Sequence, residues 1–313
     1  MSQYDLDVNE IIEVKPFLKW VGGKTQLINE IERILPQNIK NNKKIECYFE
    51  PFIGGGAIFF HLVSNYTVKK ALLFDINKEL ILVYKVIKKD SNALIDVLNE
   101  HSDKFLKKDQ DRRKEYFLNI RKKFNEDLDG FNFEKYDITH VERASQTIFL
   151  NKICFNGLFR LNKKGEFNVP MGKYKNPKIL DKKNIKNVSK ALKIAKIFNS
   201  DFKTSEKYIT ENSLVYLDPP YKPLNKTSNF TSYSENEFTD IQQIELAEYF
   251  DRITKKGAKA ILSNSDPKNE NVEDNFFDDL YSKYHIQRVQ AKRFINSDPK
   301  KRGAINELLI KNY

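Results

Sequence analysis

The chain has 313 residues and carries 54 Lys and Arg against 43 Asp and Glu, a net charge of +11. Apolar residues at 40% and aromatics at 12% can fill a sizeable core, so wholesale disorder is excluded, and the length suits one large or two modest domains. The basic surplus favours a polyanionic partner, nucleic acid ahead of an anionic membrane.

The opening reads as α/β. Residues 24–35 place Leu27, Ile28, Ile31, Ile34 and Leu35 on one helical face, and Pro36 stops the helix. A short apolar run, 47–49, enters PFIGGG and then AIFFHLV, a strand–turn–helix pattern. A second strand over 71–74 ends at Asp75, and a helix follows over about 77–89. Strand–helix alternation of this kind predicts parallel pairing. From about residue 90 to 199 strand signals nearly vanish. Basic amphipathic helices are expected over 91–100, 111–125 and 139–155, the last opened by a capping box of Thr139 and Glu142. NKKG then marks a turn between two short β arms, and a further helix is expected over 189–198. Alternation resumes with a strand over 212–217, a helix over 239–254 and a strand over 258–262. The runs 284–292 and 305–310 are expected to form an antiparallel pair. The pattern is an α/β domain interrupted by a helical insertion.

Three motifs carry chemistry. In SLVYLDPPYKP (213–223) an apolar strand runs straight into Asp218-Pro219-Pro220-Tyr221. Two prolines prevent the strand from continuing in a central ladder, so the carboxylate is held at the carboxyl end of the sheet, where α/β folds bind ligands. The second motif, Phe52-x-Gly54-x-Gly56, lies between a strand and a helix, where glycines let the backbone approach a ligand. Asp75, nineteen residues beyond Gly56, ends the next strand, where a carboxylate can take a ribose diol. The third is FLKWVGGK (17–24), with the sole tryptophan, Trp20, beside two glycines and Lys24. GGKT is not a phosphate loop, because position 18 is Leu where that motif needs Gly. What remains suits a small zwitterion. Cys47 and Cys154 form no CxxC and the four histidines show no paired spacing, so neither a disulfide scaffold nor a metal is expected. The amino terminus has no apolar leader and no run reaches the ~18 apolar residues of a membrane span, so a cytoplasmic chain with no membrane partner is expected.

Together these motifs resemble the Dam-type DNA N6-adenine methyltransferases. FLKWVGGK, FEPFIGGGAIFF, LLFDIN, FNGLFRLNKKGEFNVPMGKY and LDPPY stand in that family's order across nearly the whole chain. YKNPKI, and FTSY after LDPPY, look most similar to methylases of DpnII-type GATC systems. The resemblance implies an α/β fold with a Rossmann-like, mostly parallel sheet and a C-terminal antiparallel strand. Residues 1–89 and 200–313 would bind the donor. Residues 90–199 would form a helical target-recognition domain with a β-hairpin at about 155–174. It implies S-adenosyl-L-methionine as methyl donor, GATC in double-stranded DNA as target and no metal. A companion restriction endonuclease is the protein partner that it raises, and no obligate one is evident.

Residue by residue, the resemblance assigns Trp20, Lys24, Phe52, Gly54, Asp75, Asp201, Phe202 and Asp218 to the donor. Asp218, Pro219 and Tyr221 become the catalytic set. Asp218 and the Pro219 carbonyl accept the amino hydrogens of adenine N6, and Tyr221 offers a face to the flipped base. No covalent nucleophile is needed, and the two cysteines are expected in the core. Arg160 resembles the arginine that reads a guanine through O6 and N7. Phe155 and Asn156 sit where the family inserts side chains beside the flipped base, Leu158 and Pro170 offer apolar contacts, and Lys19 touches a flanking base. Lys163, Lys164, Lys173 and Lys175 suit phosphate contacts. An acid-Pro-Pro-aromatic tetrad fits any planar amino group, so cytosine N4 and a protein glutamine amide are the rival acceptors. The block from Asn156 to Tyr174 argues against both.

Overall fold

The computed structural model describes residues 13–20, 22–221, 238–292 and 304–313; the FTSY segment lies outside them. The helix expected over 24–35 is split into a 3-10 turn, Lys24–Gln26, and α1 (Ile28–Ile34). Pro36 ends it and then opens α2 (Gln37–Asn42), which the sequence reading lacked. The strands β1 (Lys44–Ile45) and β2 (Cys47–Glu50), helix α3 (Ala57–Asn65), and strands β3 (Thr67–Val68) and β4 (Ala71–Asp75) follow.

Helix α4 (Lys78–Leu106) starts where the Asn77 side chain accepts the Leu80 N–H. It joins the two helices expected over 77–89 and 91–100, with Asp90 (φ −131°, ψ 46°) as the break between them. Helices α5 (Gln110–Glu126) and α6 (Thr139–Ile153) complete the insertion's helical frame. The capping box expected at Thr139 is absent. Its hydroxyl donates to Asp137 at 2.5 Å, a nearer acceptor, while Glu142 takes the Lys123 ammonium at 3.2 Å.

The helix expected over 189–198 is also corrected. Helix α7 (Lys182–Ala191) ends early, and β5 (Ala195–Asn199) pairs residue for residue with β4, from Ala71 opposite Ala195 to Asp75 opposite Asn199. The remaining elements are β6 (Ser213–Leu217), α8 (Asp240–Lys255), β7 (Lys259–Ser265), α9 (Phe276–Leu280), β8 (His285–Lys292) and β9 (Ala304–Lys311). A genuine capping box, Thr239 with Gln242, opens α8.

One seven-stranded sheet has the order β5-β4-β2-β6-β7-β9-β8. Its first five strands are parallel, and β9 runs antiparallel to both neighbours, as the C-terminal pairing predicted. From β2 the chain winds outward through β4 to β5, then returns to the other side of β2 with β6 and β7. The crevice between the carboxyl ends of β2 and β6 is therefore the switch point, where open α/β sheets bind ligands. Separate apolar clusters cover the two faces of the sheet, and a third, built on Phe105, Phe117, Phe124 and Phe149, fills the insertion. A buried ion pair ties α6 to the first turn of α4, with Arg143 Nε donating to Glu79 Oε1 and Oε2 at 3.0 and 2.9 Å. Among the described residues, no helix is long and apolar enough to cross a membrane, and no group of His, Cys, Asp and Glu could hold a metal ion.

Candidate active site and nucleic-acid interface

Asp218 leaves β6 at the switch point. Its Oδ1 receives the Lys24 ammonium at 2.8 Å and the Ser263 hydroxyl at 3.1 Å. Side-chain exposure is only 5% for Lys24 and 18% for Asp218, so this pair is largely withdrawn from water. Burial raises the Asp218 carboxyl above its ordinary value, with Lys24 and Ser263 opposing the rise. Lys24 also donates to the Gly22 carbonyl at 2.8 Å and stands 4.3 Å from the centre of the Tyr221 ring. The Tyr221 hydroxyl donates to Glu307 on β9 at 2.6 Å, which fixes that ring beside the carboxylate. Pro219 is buried, and the next carbonyl, that of Pro220, accepts from buried Gln243 at 3.2 Å.

The glycine turn after β2 is organised by Asp75. Its Oδ2 accepts the Gly54 N–H at 3.0 Å and its Oδ1 the Asn77 N–H at 2.9 Å. A carboxylate has about four lone-pair sites, so these bonds leave it acceptor capacity for a ligand diol. Burial raises the Asp75 carboxyl, and these backbone N–H groups oppose the rise. Gly54 has φ 45°, and a Cβ there would stand 3.0 Å from Trp20 Cδ1, so only glycine leaves the turn this close to the indole. Phe52 stacks on Phe202 with centroids 5.4 Å apart and planes at 29°, an apolar wall beside the turn. Glu50, at the end of β2, is buried and hydrogen-bonded by the Tyr48 hydroxyl at 2.7 Å. Burial first, then the nearby Asp218 and Asp75, push its carboxyl well above its ordinary value, with the Tyr48 hydroxyl opposing the rise.

Asp201 is placed differently from its neighbours. Its carboxylate caps the 3-10 helix Phe202–Tyr208 by accepting the Lys203 N–H at 2.8 Å, and its side chain is exposed. Cys154 is buried, with its thiol pushed up to about 12 by burial, and Cys47 is half-buried with its thiol also raised. A raised thiol holds less of the reactive thiolate, which fits neither cysteine being a nucleophile.

The expected hairpin exists as a loose antiparallel loop. The Phe155 N–H donates to the Pro170 carbonyl and the Gly172 N–H to the Ile153 carbonyl, each at 2.8 Å, and isolated bridges pair Cys154 with Met171 and Leu161 with Phe167. The turn at its base exposes Phe155 at 56% and sets Asn156 at φ 58°. An exposed large aromatic next to a non-glycine residue in the left-handed region is a strained, outward-facing arrangement of the kind functional loops hold. Leu158 and Arg160 are half-buried, and Pro170 is exposed. Arg160 Nε donates to Asn168 Oδ1 at 3.1 Å, which orients the guanidinium. The Lys19 ammonium lies 5.2 Å from the Tyr174 ring centre. Trp20 stacks on Phe159 at 5.9 Å and 20°, so the 17–24 segment touches both the glycine turn and the hairpin.

Sequence reasoning missed Ser263, Gln243, Glu307 and Asn151, each of which holds one of these groups from a distant element. Glu50 was legible in FEPF beside the glycine turn but carried no assignment.

A family profile for the D12 class N6 adenine-specific DNA methyltransferases matches residues 20–295. The type II methyltransferase M.MjaIII of Methanocaldococcus jannaschii is 51% identical over 303 residues, covering 96% of this chain and 100% of that protein. The type II methyltransferase M1.LlaDCHI of Lactococcus lactis subsp. cremoris is 38% identical, covering 96% of each chain. The DNA adenine methylase of Escherichia coli K12 is 32% identical, covering 94% of each chain.

Proposed function

Because the chain belongs to the D12 class of N6 adenine-specific DNA methyltransferases, we propose that it methylates adenine within GATC of duplex DNA, with the target base turned out of the helix. The donor of this family is S-adenosyl-L-methionine, which supplies an electrophilic sulfonium methyl when bound. The observation that carries the proposal is the Asp218 carboxylate, fixed by Lys24 and Ser263 at the switch point beside the glycine turn. The residues fit the donor: Gly54 lets the turn lie against Trp20, and Asp75, bonded to that turn, keeps acceptor capacity for a diol. Phe52 and Phe202 offer an apolar wall to its adenine, and Lys24 a cation to its carboxylate.

Asp218 and the Pro219 carbonyl would then accept the two amino hydrogens of the target. An adenine N6 is a poor nucleophile because its lone pair is delocalised into the ring. Two acceptors on its hydrogens favour a pyramidal nitrogen, and the chain's contribution is alignment and fixed dipoles. As the N6–methyl bond would form, the bond from that methyl to the donor sulfur would break with its electron pair staying on sulfur, and one N6 proton would pass to the Asp218 carboxylate along the hydrogen bond already made. A base drawn from the duplex loses its stacking, and the Tyr221 ring, held by Glu307, replaces part of it. Residues 155–174 would read the site, with Arg160 on a guanine, Phe155 and Asn156 beside the vacated position, Leu158 and Pro170 on base faces, and Lys19 flanking. The catalytic unit would comprise 1–89 and 200–313, extended by β5, and the recognition unit the helices between. Two of the relatives are named type II methyltransferases, so a companion restriction endonuclease is part of the proposal.

The test is digestion of DNA from cells expressing the protein. Protection of GATC sites from a nuclease blocked by adenine methylation is expected. Complete cutting of those sites, with N6-methyladenine elsewhere, would replace the target. Replacing the target adenine by 2-aminopurine should give a fluorescence rise on binding, and a flat signal would count against base flipping.

A further inference from the structure

We propose that Asn151 is a positioning residue that clasps the Lys19–Trp20 segment to the Phe155–Leu158 turn and thereby sets discrimination between target sequences. The proposal rests on the reading of that turn as the base-reading element.

Asn151 lies in the last turn of α6 and is buried. Its Oδ1 accepts the Lys19 N–H at 3.0 Å. Its Nδ2 donates to the Lys19 carbonyl at 2.8 Å and to the Gly157 carbonyl at 3.0 Å. The amide thus grips both backbone groups of Lys19, as a neighbouring strand would, and holds the turn with its second N–H. No other side-chain type of this size offers one acceptor and two donors.

The other half of the contact is backbone. Gly157 has φ 66°, and a Cβ there would stand 2.9 Å from Lys19 Cβ, so glycine alone admits the lysine stem at this distance. Asn156, just before it, is at φ 58°. Asparagine tolerates the left-handed region better than most residues, and the buried Asn151 amide holds the turn in it through the Gly157 carbonyl. The residue after Lys19 is Trp20, which reaches Gly54 on one side and Phe159 on the other. The clasp therefore fixes the base-reading turn relative to the segment that borders the donor residues. A buried amide that merely satisfied a helix end would leave sequence ranking untouched.

The experiment uses the full chain with Asn151→Leu and, from the other side of the contact, Gly157→Ala, which leaves α6 unaltered. Methylation rates are measured on duplexes in which each GATC position is varied singly. Donor affinity is measured separately by calorimetry. Loss of the buried hydrogen bonds should lower the ratio of cognate to single-variant rates by about tenfold or more, with donor affinity unchanged. The double variant should be no worse than the worse single one, because both act through one contact. Wild-type ratios in both variants would overturn the clasp, as would a loss confined to donor affinity. Should Asn151→Leu not fold, Gly157→Ala alone decides between these outcomes. A wild-type protein indifferent to every single change would instead overturn the base-reading role of the turn, and the clasp with it.

Discussion

Replacing Asp218 by Ala separates the chemistry of the site from its stability. The carboxylate and the Lys24 ammonium are 2.8 Å apart, and an effective dielectric of ~20 gives a gross attraction of about 6 kcal/mol. Desolvation of both ions cancels most of that. Removing one partner alone leaves the other charge buried and costs about 3–5 kcal/mol. Lys24 keeps the Gly22 carbonyl and the face of Tyr221, which places the expected loss near the lower end of that range. A domain with ~5–15 kcal/mol of stability survives it. Asp218→Asn keeps an acceptor for both Lys24 and Ser263 and should lose less stability. The expected activity pattern is different. Without the acceptor the alanine variant should lose on the order of a thousandfold in the methyl-transfer step, and the asparagine variant less. Urea melts give the first quantity, and single-turnover methylation at saturating donor and duplex gives the second. If the alanine variant turns over at close to the wild-type rate under conditions where it is folded, or if both activity losses simply track the stability losses, the role assigned to Asp218 is refuted.

Ser263→Ala removes a hydrogen bond that opposes the raised Asp218 carboxyl, so the acid limb of the rate profile should move to higher pH; an unmoved limb would exclude Asp218 as its source. Burial, with Lys19, Lys178 and Lys15 nearby, pulls Lys152 down to about 8. The folded state therefore binds fewer protons than the unfolded state between pH 8 and the ordinary lysine value, and stability from this group rises with pH across that window. Lys152→Met should raise Tm at pH 7, with the gain shrinking as the pH climbs through the window; an equal gain at all pH values would point to packing instead. Arg160→Ala should remove on the order of 1–3 kcal/mol of discrimination at one guanine while the other positions are still read, as measured on singly varied duplexes. Binding to nonspecific duplex should fall by about 10³–10⁵ between roughly 50 and 200 mM salt if ~6–10 phosphates are contacted, and a flat response would make the basic surplus incidental.

The parts of the site that were legible in the sequence are short and contiguous. LDPPY is a strand ending in prolines, so its exit at the sheet's carboxyl edge follows from backbone chemistry alone. The glycine turn and Asp75 were readable for the same reason, and the structure adds that Asp75 itself bonds the turn at Gly54. What escaped depends on tertiary pairing. AKIFN at 195–199 follows a lysine-rich helix and continues its periodicity, but pairing with β4 makes it a strand. Thr139 lost its capping role to Asp137, two residues away, whereas Thr239 forms the box with Gln242 that opens α8. Ser263 meets Asp218 across 45 residues, and Asn151 meets Lys19 across 132, spacings that no local pattern encodes.

The most direct test of the central claim is transfer of a labelled methyl group from S-adenosyl-L-methionine to a duplex carrying a single GATC, followed by digestion to nucleosides and chromatography. The label should appear in N6-methyl-2′-deoxyadenosine from that duplex and be absent from a control in which the site is destroyed. Label in N4-methylcytosine, label in protein, or equal incorporation into the control duplex would contradict it.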